Sequence, residues 1–297
     1  MDNHHLRMGR NRNCYQCVLK GFLKHLAHLD QNVQDEFVSR FEDAYENLAD
    51  ESASPALYYE ARKILWDYIP NTDAERYEPI KKMFNDAVLA IEDSLQKRVD
   101  QSDSPLELAI KTARAGNYLD VGCVKDIQHE KLLELIDQAT TDQLDPQTFA
   151  HFTTELSNAS SMVYLTDNAG EAVLDKILIR TLKRLYPAVE LTVIVRGGLA
   201  QSDITMEDAE YIGLTKEAHV ISSGVAIPGT ALPYLSAEAR SYIDKADLIL
   251  AKGQGNFESL CGCGLNIYYV FLCKCPEFTR MFQLPQFSGC FLREYDM

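Results

Sequence analysis

The sequence predicts an α/β protein, with a helical N-terminal region over residues 1–157 and an α/β domain with a mostly parallel sheet over 158–297. Three observations predict it. Up to Ser157 apolar residues recur at spacings of three and four, the period of a helix with one buried face. Beyond Ser160 short apolar runs alternate with amphipathic stretches, which is how parallel strands and their crossover helices read. With 46% hydrophobic residues in 297, the chain can bury a core without staples.

The helical half opens with Val18, Phe22, Leu26 and Leu29, followed by Phe37, Phe41, Ala44, Tyr45 and Leu48. Ser52-Ala53-Ser54-Pro55 breaks that run, and a helix through Leu57, Ala61, Ile64 and Leu65 ends by Pro70-Asn71. Phe84, Val88, Ile91 and Leu95 mark one further helix. Ser102-Asp103-Ser104-Pro105 then caps a helix that carries Leu108, Ile110 and Ala113. No β-rich run and no internal repeat interrupts this half.

In the second half Met162–Thr166 reads as a strand and Gly170–Tyr186 as a helix whose apolar face holds Val173, Leu174, Ile177, Leu178, Leu182 and Leu185. Leu191–Val195, Val220–Ser222, Asp247–Ala251 and Ile267–Leu272 read as further strands, apolar enough to be buried on both faces. Strand order is not readable at this level.

The formal net charge of −15 argues against nucleic acid as a partner. It would also repel a phosphorylated ligand, so a site for one needs a local cation, from a metal or a lysine. No apolar run approaches the eighteen residues of a membrane span. The polar start of the chain, Met1–Asn13, has no apolar signal core behind it, so a cytoplasmic protein is expected. The eight cysteines are then expected as reduced thiols. Cys14-x-x-Cys17 makes half of a zinc site at most, since the other candidates, Cys261/Cys263 and Cys273/Cys275, have the wrong spacing.

Chemistry concentrates at strand exits. Asp167 and Asn168 follow the first strand, and Asp203 lies just past the second. Adjacent parallel strands place such residues on one sheet edge, where α/β proteins bind ligands. Two carboxylates and an amide carbonyl form a hard oxygen set suited to a divalent cation. Singly, an Asp or Asn before a helix is also an ordinary N-cap. Asp208 is read that way, as the partner of Thr205 in a capping box. Lys252-Gly253-Gln254-Gly255-Asn256 follows the fourth strand. Its glycines allow close approach of backbone N–H groups to a phosphate, and Lys252 supplies charge. It is neither a dinucleotide fingerprint nor a Walker A loop, and alone it also fits a turn. Gly116-Asn117 with Asp120 is a similar signal that also fits a helix end.

Together, Val163–Glu171, Ser202-Asp203-Ile204-Thr205 with Glu207-Asp208-Ala209, and Ala251–Glu258 resemble the metal-dependent damage-control phosphatase family, long catalogued as domain of unknown function 89. The 36-residue interval from Asp167 to Asp203 fits it. Cys14-x-x-Cys17, Gly116-Asn117-x-x-Asp120 and Lys274-Cys275 resemble its microbial branch, and the likeness runs through nearly the whole chain. The chain departs from the usual pattern at Gly198-Leu199-Ala200-Gln201, where relatives are more apolar and often have proline.

The resemblance implies a three-layer α/β/α C-terminal domain and one divalent metal ion (Mn²⁺, Mg²⁺, Co²⁺ or Ni²⁺) on Asp167, Asn168 and Asp203. It also implies hydrolysis of small phosphate esters: sugar phosphates, nucleotides or damaged phosphometabolites. The residues expected to carry the chemistry are Asp167, Asp203 and Lys252. Those expected at the phosphate are Lys252, Gly253, Gly255, Asn256, Asn117 and Asp120. A relative has been proposed to methylate protein carboxylates, so an S-adenosylmethionine-dependent methyltransferase is the alternative enzyme. A module that binds a phosphometabolite without turnover is the non-enzyme alternative.

Overall fold

The computed structural model describes residues 8–118, 133–134, 136–138 and 140–297. Asp120 and Cys123 lie outside the described residues.

The first three helices, α1 (Arg12–Leu26), α2 (Gln31–Asn47) and α3 (Ser54–Leu65), bury one aromatic-rich cluster that includes Tyr15, Phe22, Phe37 and Phe41. The stripe read at Phe84, Val88, Ile91 and Leu95 spans two helices rather than one, α4 (Asp73–Leu89) and α5 (Glu92–Asp100). Ala90 and Ile91 between them keep near-helical angles (φ −64°, ψ −22° and φ −112°, ψ −2°). The apolar face therefore continues through the break, and periodicity alone cannot see it. In α6 (Pro105–Ala115) Ser104 holds the N-cap position, but its side chain makes no capping bond. Pro105 starts the helix where a missing N–H costs nothing. The last helix of this half, α7 (Pro146–Asn158), is capped by Asp145, whose carboxylate accepts from the Thr148 amide at 2.7 Å.

Five parallel strands follow: β1 (Ser161–Leu165), β2 (Glu190–Val195), β3 (His219–Ser222), β4 (Leu248–Lys252) and β5 (Ile267–Leu272). Each expected strand is present, with ends shifted by one residue at most. A sixth, β6 (Gly289–Arg293), pairs antiparallel with β5 and closes one edge, and sequence reasoning missed it. Its five residues include only three apolar ones, too few to show alternation. The order is β3-β2-β1-β4-β5-β6.

The interleaved helices are α8 (Glu171–Leu185), α9 (Met206–Tyr211), α10 (Ala237–Lys245), α11 (Gly253–Leu260) and α12 (Pro276–Phe282). Side chains of β1 alternate between the two faces of the sheet. Met162 and Tyr164 join a core with residues of α4–α9, whereas Val163 and Leu165 join a second core with residues of α10–α12. The result is three layers, helices–sheet–helices. The first core combines Phe84, Ile110 and Phe152 with Val173 and Val193, so one packed interior draws on both sides of residue 157. Thr205 and Asp208 form the capping box read from the sequence. Among the described residues no helix is long and apolar enough to cross a membrane.

Candidate active site

The chain crosses from β1 to β2 on one side, and from β4 to β5 on the other. The carboxyl ends of β1 and β4 therefore flank the topological switch point, where α/β sheets open a crevice. Asp167 and Asn168 leave β1 there, and Lys252 and Gly253 leave β4 beside them. The loop after β2 folds back onto the same edge. The Ile204 amide donates to the Asp167 carbonyl at 2.9 Å and the Ala169 amide to the Ser202 carbonyl at 2.8 Å. Asn168 and Asp203 thus stand opposite each other as an isolated antiparallel pair. Asp167, Asn168 and Asp203 are brought together, and all three are buried.

A network of side chains fixes them. Asp167 Oδ2 accepts from Asn117 Nδ2 and Asn168 Nδ2, each at 2.8 Å. Asn168 Oδ1 accepts from Ser202 Oγ at 2.7 Å. Arg196, at the end of β2, donates from Nε to Asp203 Oδ2 at 2.6 Å. Its other nitrogens reach Thr230 Oγ1, the Thr166 carbonyl and Asn256 Oδ1. Asn117 occupies the turn after α6, so the helix-end reading and the site reading both describe it. It spans Asp167, Glu171 at 3.0 Å and the Leu272 amide at 3.2 Å.

The lysine-glycine loop divides into distinct roles. Lys252 Nζ is fully buried and donates to Glu171 Oε1 and Asp175 Oδ1, both at 2.7 Å, and to the Ala113 carbonyl at 2.8 Å. Its three protons are used inside the protein, with none left for a phosphoryl oxygen in this arrangement. Asn256 is likewise saturated, holding the Thr166 and Lys252 carbonyls and accepting from Arg196 and Thr230. Gly253 has φ +79°, and a Cβ there would overlap the Asp167 carboxylate, with the farther oxygen at 2.7 Å. Gly255 lies against the Pro228 carbonyl, 2.8 Å from where a Cβ would stand.

The charges do not balance. Asp167, Glu171, Asp175 and Asp203 are buried together with two buried cations, Lys252 and Arg196. Burial pushes the Asp167 carboxyl well above the usual range, and the charges of Glu171 and Asp203 push it further. Burial also raises Asp175, to about 6, although Lys252 holds it down. Burial opposes the Lys252 charge, but Asp175 and Glu171 outweigh it and raise its pKa. A buried oxygen-rich edge with excess negative charge fits a divalent cation. Among the described residues no three His, Cys, Asp or Glu side chains stand together as a metal cluster. Asn168 Oδ1 is a further oxygen beside the two carboxylates that a cation here could use.

Sequence reasoning missed Glu171, Asp175, Arg196 and Ser202 as parts of this network. The available signal was a charged residue at the exit of a buried strand (Arg196) and acids on the buried face of α8 (Glu171, Asp175). It also left Lys274 without a role. That half-buried lysine draws the Asp167 pKa downward, and its amide donates to Gln254 Oε1 at 2.8 Å. Cys14 lies among Glu258, Cys275, Glu277 and Cys17, and burial pushes its thiol up to about 12.

A family model described as the damage-control phosphatase ARMT1-like domain matches residues 11–288. The chain belongs to that family. Among curated members, it is 35% identical to damage-control phosphatase PH1575 of Pyrococcus horikoshii over 181 residues. That match covers 61% of this chain and 62% of the relative's length. It is 30% identical to a damage-control phosphatase of Archaeoglobus fulgidus over 215 residues, 69% of this chain and 70% of that one. The crystal structure of the Pyrococcus protein, described as a duf89 family protein, superposes with a TM-score of 0.76 at 26% identity. The superposition covers 97% of this chain and 100% of that one. The helical region followed by a three-layer α/β/α domain is therefore the fold of this damage-control phosphatase family.

Proposed function

We propose that this chain is a phosphatase that releases phosphate from small phosphorylated metabolites, with one divalent metal ion held by Asp167, Asn168 and Asp203. One observation carries the reading: a buried carboxylate pair and an amide stand at the switch point of the sheet with more negative charge than the buried cations neutralise. Two relatives carry the name damage-control phosphatase. When bound, a divalent ion supplies Lewis acidity toward a phosphoryl oxygen.

The protein's own groups do the rest. Arg196 holds Asp203 and Ser202 holds Asn168, so the ligand oxygens are fixed before substrate arrives. The first-turn amides of α11 have no acceptor within their helix, and Gly253 packs against the Asp167 carboxylate, so in this reading these amides receive a phosphoryl oxygen. Lys274 supplies positive charge at that edge. Lys252 acts from behind, by holding Glu171 through Oε1 so that its Oε2 faces and accepts from both Asn117 and Asn168. It is a positioning residue rather than a phosphate ligand.

The test is phosphate release from an aryl phosphate and a panel of sugar phosphates and nucleotides, using chelated protein with single metals added back. Turnover is expected to appear with Mn²⁺, Mg²⁺, Co²⁺ or Ni²⁺ and to vanish in Asp167→Ala and Asp203→Ala. Full metal-dependent turnover in Asp203→Ala would refute the ligand assignment. No turnover with any metal would refute the phosphatase.

A further inference from the structure

Arg62, on α3, is among the largest fully buried side chains of the protein, at 2% exposure. Its guanidinium has no close carboxylate; the nearest is Asp73, with an oxygen 3.9 Å away. Among the described residues its Nε has no hydrogen-bond partner. Instead Nη1 donates to the Leu199 carbonyl at 2.8 Å and Nη2 to the Ala226 carbonyl at 2.6 Å. Its planar face lies 4.9 Å from the centre of the Trp66 ring. An arginine is costly to bury without an ion partner, so these two carbonyl contacts are its main compensation.

Both carbonyls belong to loops at the candidate active site. Leu199 lies in the loop that carries Asp203, and Ala226 in the loop after β3. The two loops are pressed together where the Gly197 amide donates to the Val225 carbonyl at 2.9 Å. Two residues beyond Leu199, Gln201 is held at φ +54°, a left-handed conformation uncommon for a non-glycine residue. The Asp203 amide then closes onto the Ala200 carbonyl at 3.1 Å.

We infer that Arg62 is a positioning residue, through which α3 sets the loop that presents Asp203 to the metal. A guanidinium fork can hold two carbonyls in fixed relation, which a lysine cannot. Helix α3 thereby acts as a clamp on one metal ligand. The inference rests on the metal assignment above.

The experiment measures Mg²⁺ binding by calorimetry to chelated, full-length protein, at a temperature where each variant's unfolding curve shows it folded. Arg62→Gln is expected to weaken Mg²⁺ affinity at least tenfold, and Arg62→Lys, which keeps the charge without the fork, more than threefold. Arg40→Gln, which removes a surface contact of α2 with Asp67 and Tyr68, is expected to leave it unchanged. A role confined to fold stability would lower the unfolding midpoint but leave the affinity of the folded protein alone. Affinities of Arg62→Gln and Arg62→Lys within threefold of wild type, or an equal loss in Arg40→Gln, overturn the proposal. If Arg62→Gln does not fold, Arg62→Lys against Arg40→Gln decides by the same limits. If the wild type binds neither Mg²⁺ nor Mn²⁺, the metal assignment itself falls, and the clamp with it.

Discussion

Gly253→Ala is the sharpest perturbation the site offers, because one methyl group enters it and nothing is removed. Gly253 has φ +79°, and forcing an alanine there costs about 1–3 kcal/mol of backbone strain. Its Cβ would overlap the Asp167 carboxylate, so that carboxylate or the start of α11 must move. Moving the carboxylate gives up the bonds that Oδ2 receives from Asn117 and Asn168. Leaving such buried groups unpaired costs about 1–3 kcal/mol. The sum, about 2–6 kcal/mol, is a large part of the roughly 5–15 kcal/mol that holds a typical domain folded. A shift of about 1 Å at a catalytic group costs about 100-fold in rate. Urea unfolding of the chelated protein, Mg²⁺ calorimetry and phosphate release should therefore all fall together. Wild-type stability with wild-type metal-dependent turnover in Gly253→Ala would refute the contact between the glycine loop and Asp167.

Three further outcomes follow from the same network. Lys252→Met removes the cation between Glu171 and Asp175 and should cost about 3–5 kcal/mol, as loss of one partner of a buried ion pair does. Without it the Asp175 carboxyl, already at about 6, rises further, so urea unfolding should show a smaller loss at pH 5 than at pH 8. Burial raises Glu258 from 4.5 to about 7, so the folded state holds a proton that the unfolded state has released, and stability falls as pH rises across that window. Glu258→Gln should accordingly gain about 1–3 kcal/mol over wild type at pH 8 and nothing at pH 4; an equal gain at both would refute the shift. Asn117→Ala frees Asp167, Glu171 and the Leu272 amide at once, and phosphate release at fixed Mg²⁺ should drop about 10–100-fold, as it does when groups orienting metal ligands are lost.

The sequence by itself determined the change of architecture near residue 160, the five parallel strands and the strand-exit position of Asp167, Asn168, Asp203 and Lys252. Each is a local property: a period, an apolar run, or a residue placed just after it. What only the tertiary structure decided is where those exits point. Lys252 is the last residue of β4 rather than the first after it, β4 lies beside β1, and α8 brings Glu171 and Asp175 beneath the edge, so the lysine turns inward to two carboxylates. Arg196 leaves no periodic signature, yet it holds Asp203 because the loop after β2 folds back over residues 167–169. Arg62 reads as one polar position in an amphipathic helix, and only the packing of α3 against two distant loops makes it a buried fork. Strand neighbours and loop return paths are set by long-range packing, whereas sequence period records only which face of an element is buried.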